Sequence, residues 1–308
     1  MAMGAHSIEQ SVTEPVIAPK PALESTPVVL KYRFEPDQTI HYIVSHKMMI
    51  RSQKGRVTQI AKSDWTTYKH LRVIKIDADQ TATVETTIDR VEAVVQFDDE
   101  PPHKYDSSVD QAAPAPLRRV SESIGKPLAN TRFTTDGRLI SAVSLLGPDA
   151  GPLADSEAAS DDPSRKNFLI TLPAGPIRVG ESWKDTFVVK VSVPPKLQRN
   201  ITLGRKYTLV TLENGLATIQ LQTSVLTPVN NPEIEAQLIQ RPQQGEILFD
   251  VAKGLIVSRT LRVNQEVSAF AGPNSIMKAE SSLIETLTSS TTVASKTGSK
   301  IEPSSPTR

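Results

Sequence analysis

Residues 40–51 read IHYIVSHKMMIR. Ile40, Tyr42, Val44, Met48 and Ile50 share one parity and His46 falls among them, while His41, Ser45, Lys47 and Arg51 take the other. Alternation with period two over this length argues for an antiparallel strand with one buried face and one wet face. The pattern returns in Trp183, Phe187, Val189, Val191 and Val193, with Lys184, Thr186, Lys190 and Ser192 opposite. It returns again in Ala217, Ile219, Leu221 and Val225, against Thr218, Gln220, Gln222 and Ser224. Turn-forming groups punctuate the runs: Gln53-Lys54-Gly55, Asp77-Ala78-Asp79, Asp136-Gly137, Glu213-Asn214-Gly215 and Ala252-Lys253-Gly254.

Helical signals are few. Pro116 through Ile124 carries Leu117, Val120 and Ile124 on one side and is followed by Gly125. Asn231-Pro232 is suited to cap a second short helix through Ile234 and Leu238, and residues 233–241 are alternatively read as another strand. The stretches 98–116 and 147–165 are acidic and rich in proline, and the second falls near mid-chain. These features predict an all-β protein of two related curved antiparallel sheets, half-barrel or open-barrel modules, each with a short helix or loop packed on it. The modules are placed at 30–148 and 168–288, joined by an acidic linker at 149–167. A proline-rich leader (1–29) and a Ser/Thr-rich tail (289–308) are expected to be disordered, because they hold too little apolar surface to offset ordering entropy.

The modules present matching blocks in the same order, which suggests an internal repeat. FEPDQTI (34–40) and IRVGESW (177–183) each precede a long alternating strand. A strand–turn–strand unit follows at 71–91 and at 207–225. Phe133 to Ile140 and Phe249 to Ile256 then repeat an aromatic strand, a turn and a further strand. This order decides the meaning of AGPIRVGESWKDTF (174–187), which is one residue type away from a phosphate-cradling loop. Glu181 stands where that loop needs lysine, and the chain continues as a strand where it needs a helix. Gly180 falls opposite Asp37, and both residue types suit a turn of unusual backbone.

These blocks resemble a family of uncharacterised, exported, β-rich bacterial envelope proteins. The residues that carry the resemblance are Tyr32, Phe34, Pro36 and Tyr42, then Tyr105-Asp106-Ser107, Gly180-Glu181-Ser182-Trp183, and Phe249-Asp250 with Gly254. The resemblance covers most of residues 30–288 and implies export and β architecture, with no assigned activity. The N-terminal stretch lacks the basic start and apolar core of a secretory leader, so the expected periplasmic or secreted location requires a leader already removed. The alternative is a cytoplasmic protein.

The chemistry that composition excludes is extensive. Thirty-five basic and 34 acidic side chains leave a net charge of +1, so no field of one sign steers nucleic acid, and none is expected as a partner. There is no cysteine, hence no disulfide and no thiolate chemistry. No apolar run approaches the about 20 residues of a transmembrane helix. Ser275 and Lys278 match S-x-x-K and Lys296-Thr297-Gly298 matches K-T-G, but the serine follows a turn rather than opening a helix, and no S-D-N lies between. His41 and His46 face opposite sides of one strand and cannot chelate together. A calcium loop from Asp98, Asp99 and Asp106 lacks any supporting spacing. No catalytic residue, metal ligand or cofactor site is therefore assigned. Residues expected to line a pocket are Tyr42, His46, Trp65, Trp183 and Phe187. The function expected is a non-catalytic exported or envelope-associated protein that binds an apolar small molecule or a protein partner. The alternatives are a hydrolase or metal-dependent enzyme using Asp, Glu, Ser and Tyr between the modules, and an interaction module working through its sheet edges. Oligomeric state is not fixed by the sequence.

Overall fold

The computed structural model describes residues 26–110, 112–146, 169–193 and 197–289. The linker 149–167, residues 1–25 of the leader, residues 290–308 of the tail and the K-T-G triplet lie outside these. The first half runs through β1 (Thr39–Lys54), β2 (Val57–Ile76), β3 (Ala82–Phe97) and a short β4 (His103–Asp106). A 3₁₀ turn at Ala115–Leu117 leads into α1 (Arg118–Ser121), then β5 (Pro127–Phe133) and β6 (Leu139–Ser144). The second half runs through β7 (Ser182–Val193), β8 (Leu197–Glu213), β9 (Leu216–Val225), α2 (Pro232–Leu238), β10 (Gln244–Asp250), β11 (Leu255–Ser268) and β12 (Ser275–Thr288).

The all-β reading holds, and the two expected sheets prove to be continuous. One open antiparallel sheet runs β6-β5-β3-β2-β1-β12-β11-β10-β9-β8-β7, with β4 beside β3. The join is made by the first and last strands: β1 pairs with β12 from His41↔Thr288 to Lys54↔Ser275. A flat sheet of this width would span about 48 Å at ~4.8 Å per strand spacing. Yet Leu71, Val84 and Phe133 of the first half share one buried core with Tyr207, Ile219, Phe249 and Ile256 of the second. The sheet therefore curls until its flanks meet over a common interior, without closing into a barrel.

The inner face is stopped at one end by two extended segments. Val28 and Ile177 exchange backbone hydrogen bonds of 2.9 and 2.8 Å. Val28 lies inside the stretch read as leader, and backbone pairing that composition cannot reveal is what holds it. Leu30 and Tyr32 are wholly buried behind it, and the Tyr32 hydroxyl donates to the Ile170 carbonyl (3.1 Å) while accepting from the Ile170 amide (3.0 Å). The plug presses on two turns. The Tyr32 amide donates to Thr135 and the Arg33 amide to Gly254. A Cβ on Gly254 would lie 2.5 Å from the Arg33 nitrogen, and one on Gly137 would lie 2.6 Å from the Tyr32 ring.

Toward the other end each half lays its helix on the inner face. Leu117 and Val120 pack with Ile88, Val91 and Leu128; Ile234 and Leu238 pack with Val189, Val191, Ile201 and Leu203. Residues 232–238 are thus helix rather than strand, because the Asn231 side chain accepts from the Glu233 amide and Pro232 starts the first turn. Within the acidic stretch 98–116 the chain forms β4. There the Asp106 carboxylate takes Arg90 through two bonds of 3.0 and 2.6 Å, and the Ser107 hydroxyl accepts from the Val91 amide. The Tyr-Asp-Ser triplet is a clasp of β4 onto β3.

The halves share details beyond element order. Asp37 (φ 58°) and Gly180 (φ 92°) both lie in the left-handed region. Gln38 Oε1 accepts from the Glu35 amide and Glu181 Oε2 from the Arg178 amide, each closing the same three-residue reach. The carbonyls of Gln38 and Glu181 accept from the amides of Val73 and Leu209. Bulges follow at once, between Val73 and Lys75 and between Leu209 and Thr211. A second pair of bulges precedes Phe133 and Phe249.

Gly254 and Gly215 both have positive φ, 63° and 78°, but a Cβ on Gly215 meets open space. Gly215→Ala is expected to cost about 1–2 kcal/mol, the left-handed penalty alone. Gly254→Ala should cost clearly more, because the Arg33 backbone must also move. Urea unfolding midpoints of the two variants measure the difference; equal losses would mean that the plug does not press on the turn.

Candidate functional site

Register lines up a row of inward positions across the sheet: Trp183 (β7), Tyr207 (β8), Leu221 (β9), Gly245 (β10), Leu261 (β11), Leu283 (β12), His46 (β1), Trp65 (β2) and Ala93 (β3). Three of the five sequence-predicted pocket residues, His46, Trp65 and Trp183, fall in it. Trp183 stacks on Tyr207 at 5.3 Å and donates from Nε1 to the Thr171 carbonyl (2.7 Å), so it anchors the core beside the plug. Trp65 packs against the α1 cluster. Tyr42 is buried two inward rows away, beyond Val44, and its hydroxyl donates to the Ile256 carbonyl at 2.9 Å.

His46 and Phe187 line a cavity of about 330 Å³ with Tyr207, Arg205, Thr223, Arg259, Leu261, Ser281 and Leu283. Leu169 and Ile170 of the plug bound it on one side, and Gln240, Arg241 and Gln243, just past α2, on another. This size is at the lower end of the ~300–1,000 Å³ of small-molecule sites. Burial holds the His46 pKa below its ordinary value, so the ring is neutral at pH 7.

Charge enters this interior through residues of inward parity. Arg205 lies opposite Asp185 and is gripped by it through two bonds of 2.8 Å, with the Phe187 ring 4.8 Å from the guanidinium. Asp185 sits on the edge strand, outboard of Arg205, and is not among the described lining residues. Glu285, at 3% exposure, receives Lys69 from β2 at 3.1 Å and Arg259 from β11 at 2.6 Å. Burial alone would raise its pKa; the two cations outweigh that and hold the carboxyl below its usual value. The Tyr207 hydroxyl is buried facing the Asp185 carboxylate, with no partner in good hydrogen-bond geometry. Burial pushes this phenol far above its ordinary pKa, with Arg205 opposing and Asp185 adding to the rise, so it stays a protonated donor.

The pocket residues that parity alone missed are Tyr207, Arg205, Arg241 and Arg259. A signal for two of them was present: Arg205 and Arg259 are charges at positions where the alternation calls for apolar side chains, as are Asp185, Lys69 and Glu285. Other sequence readings are located elsewhere. His41 and His70 meet across β1 and β2 on the outer face, ring centroids 5.7 Å apart, with His70 Nδ1 2.8 Å from Asp89. Register brings together two histidines that chain spacing kept apart. Among the described residues, no group of three or more His, Asp or Glu side chains could hold a metal. The Ser275 hydroxyl donates to the Gly272 carbonyl and accepts from the Ala271 amide, so it fastens a turn.

Glu285→Gln would leave Lys69 and Arg259 buried around a neutral amide, and a loss of about 3–5 kcal/mol is expected in denaturant unfolding. The sign with pH follows from the lowered pKa. The stabilisation is complete above the unfolded-state carboxyl pKa and is lost as pH falls through the lower folded value. Below about pH 4 the gap between the parent protein and Glu285→Gln should therefore narrow; a gap constant to pH 2 would count against an ionised Glu285.

No family model and no curated protein matches the chain. Among solved structures, a lipovitellin studied for its lipid–protein interactions aligns with a TM-score of 0.45 at 12% identity. The alignment covers 83% of this chain and 26% of lipovitellin, so the chain spans about a quarter of that protein's length. A likeness this distant carries no argument about what this chain binds.

Proposed function

We propose that the chain is a non-catalytic binding protein that takes an apolar small molecule into the cavity beneath the curled sheet. The observation that carries this reading is the cavity itself, which has Leu169, Ile170, Phe187, Leu221, Leu261 and Leu283 as its apolar lining beside a wall of polar side chains. Sheet and plug surround it with side chains fixed by register, which suits binding to a preformed site. An exported, envelope-associated location is supported by the resemblance described above. The two halves are copies of one unit; the shared left-handed turns and the bulges before Lys75, Thr211, Phe133 and Phe249 support that reading.

The alternative hydrolase would draw on acids and hydroxyls between the halves. There, Glu285 is engaged by Lys69 and Arg259, and the Tyr42 hydroxyl by Ile256. These groups are committed to structure, which favours binding over catalysis.

N-phenyl-1-naphthylamine, a neutral apolar fluorophore, tests the reading. It should bind saturably at one site per chain. Thr223→Phe, which fills the cavity from β9, should weaken that binding at least tenfold while leaving the circular dichroism spectrum unchanged. Binding that never saturates, or that ignores Thr223→Phe in a folded protein, would remove the cavity as the site.

A further inference from the structure

The cavity wall is unusual in what it offers a ligand. Arg205, Arg241 and Arg259 all line it, with Gln237, Gln240 and Gln243, and no carboxylate stands among the described lining residues. The acids that hold two of the arginines, Asp185 and Glu285, fix the guanidinium groups in place from outside the described lining. The Tyr207 hydroxyl shares this wall. It is wholly buried with no partner in good hydrogen-bond geometry, and the acceptor it faces, Asp185, is already engaged by Arg205 through both oxygens. A buried donor without an acceptor is costly, and native interiors rarely keep one. What this polar wall lacks is an anion of its own.

On the reading that the cavity takes an apolar molecule, we propose that the ligand is an amphiphile whose single acidic head, a carboxylate or a phosphate monoester, accepts from Tyr207 and faces Arg205, Arg241 and Arg259. Its apolar part lies along Leu169, Ile170, Leu261 and Leu283. Planar guanidinium groups suit oxyanion heads, since paired N–H donors match paired oxygens. The ring of Tyr207 is a core element stacked on Trp183, whereas its hydroxyl makes no well-formed hydrogen bond within the chain. Ring and hydroxyl are therefore separable by substitution.

The test compares ligands of one chain length and different heads by calorimetry and by displacement of N-phenyl-1-naphthylamine at pH 7.4. Decanoate and decyl phosphate should bind at least tenfold more tightly than decanol, and decylamine more weakly than decanol. Acetate and inorganic phosphate, which carry the head alone, should bind at least a hundredfold more weakly than the decyl acids. Tyr207→Phe should weaken decanoate about fivefold or more, leave decanol unchanged, and leave the ligand-free protein as stable as its parent or more so. Arg241→Gln should also weaken decanoate selectively. Equal affinity for decanoate and decanol while the fluorophore still binds would overturn the acidic head and spare the cavity. Loss of decanol and fluorophore binding alike would remove the cavity reading itself. Tight binding of acetate or phosphate alone would make the site one for small oxyanions and overturn the amphiphile.

Discussion

The ladder between β1 and β12 is the constraint on which the rest of the molecule depends. Without it the chain would be two separate meanders, each with an unpaired strand at its inner margin; with it, the twelve described strands form one sheet and the flanks can curl over a shared interior. Glu285 sits in that seam and takes one cation from each half, Lys69 from β2 and Arg259 from β11. A buried carboxylate with two cationic partners is tolerated only while all three are in place, so the triad rewards one registration of the halves. Whether that improves specificity more than stability is a property of the triad as a unit.

Much of the architecture was legible in the sequence, because parity survives any change in how strands are arranged. The alternation at 40–50, 183–193 and 217–225 marks three of the strands and their buried faces, and turn chemistry marks most of the hairpins. The pairing of distant strands was not legible. Nothing local in Thr39–Lys54 says that its partner is Ser275–Thr288 rather than a second sheet of its own. The same holds for the site. His46 and Phe187 could be placed on the inner face by counting, but their convergence with Tyr207 and the arginines depends on curl and register across many strands.

The charged inward positions teach a related point. Asp185 between Trp183 and Phe187, and Arg205 between Leu203 and Tyr207, interrupt otherwise apolar faces and turn out to be cross-strand partners. A break in the pattern is where the interior does something other than fill space. Here it rigidifies a guanidinium beside a cavity, next to a phenol whose hydroxyl makes no well-formed hydrogen bond. The near-phosphate loop at 174–187 belongs to the opposite class. Gly180 serves the turn into β7 and donates its amide to the Leu209 carbonyl in the neighbouring strand, while Gly175 lies in a separate bend.

The placement of the first and last strands side by side has a consequence for synthesis. The residues that pair across the seam are more than 200 positions apart in the chain, which a ribosome adding ~5–20 residues per second covers in roughly 10–45 s. Throughout that interval β1 is a finished ribbon with one bare edge and a greasy underside, and only the synthesis of β12 can cover it. Until then the nascent edge is a ready template for other chains.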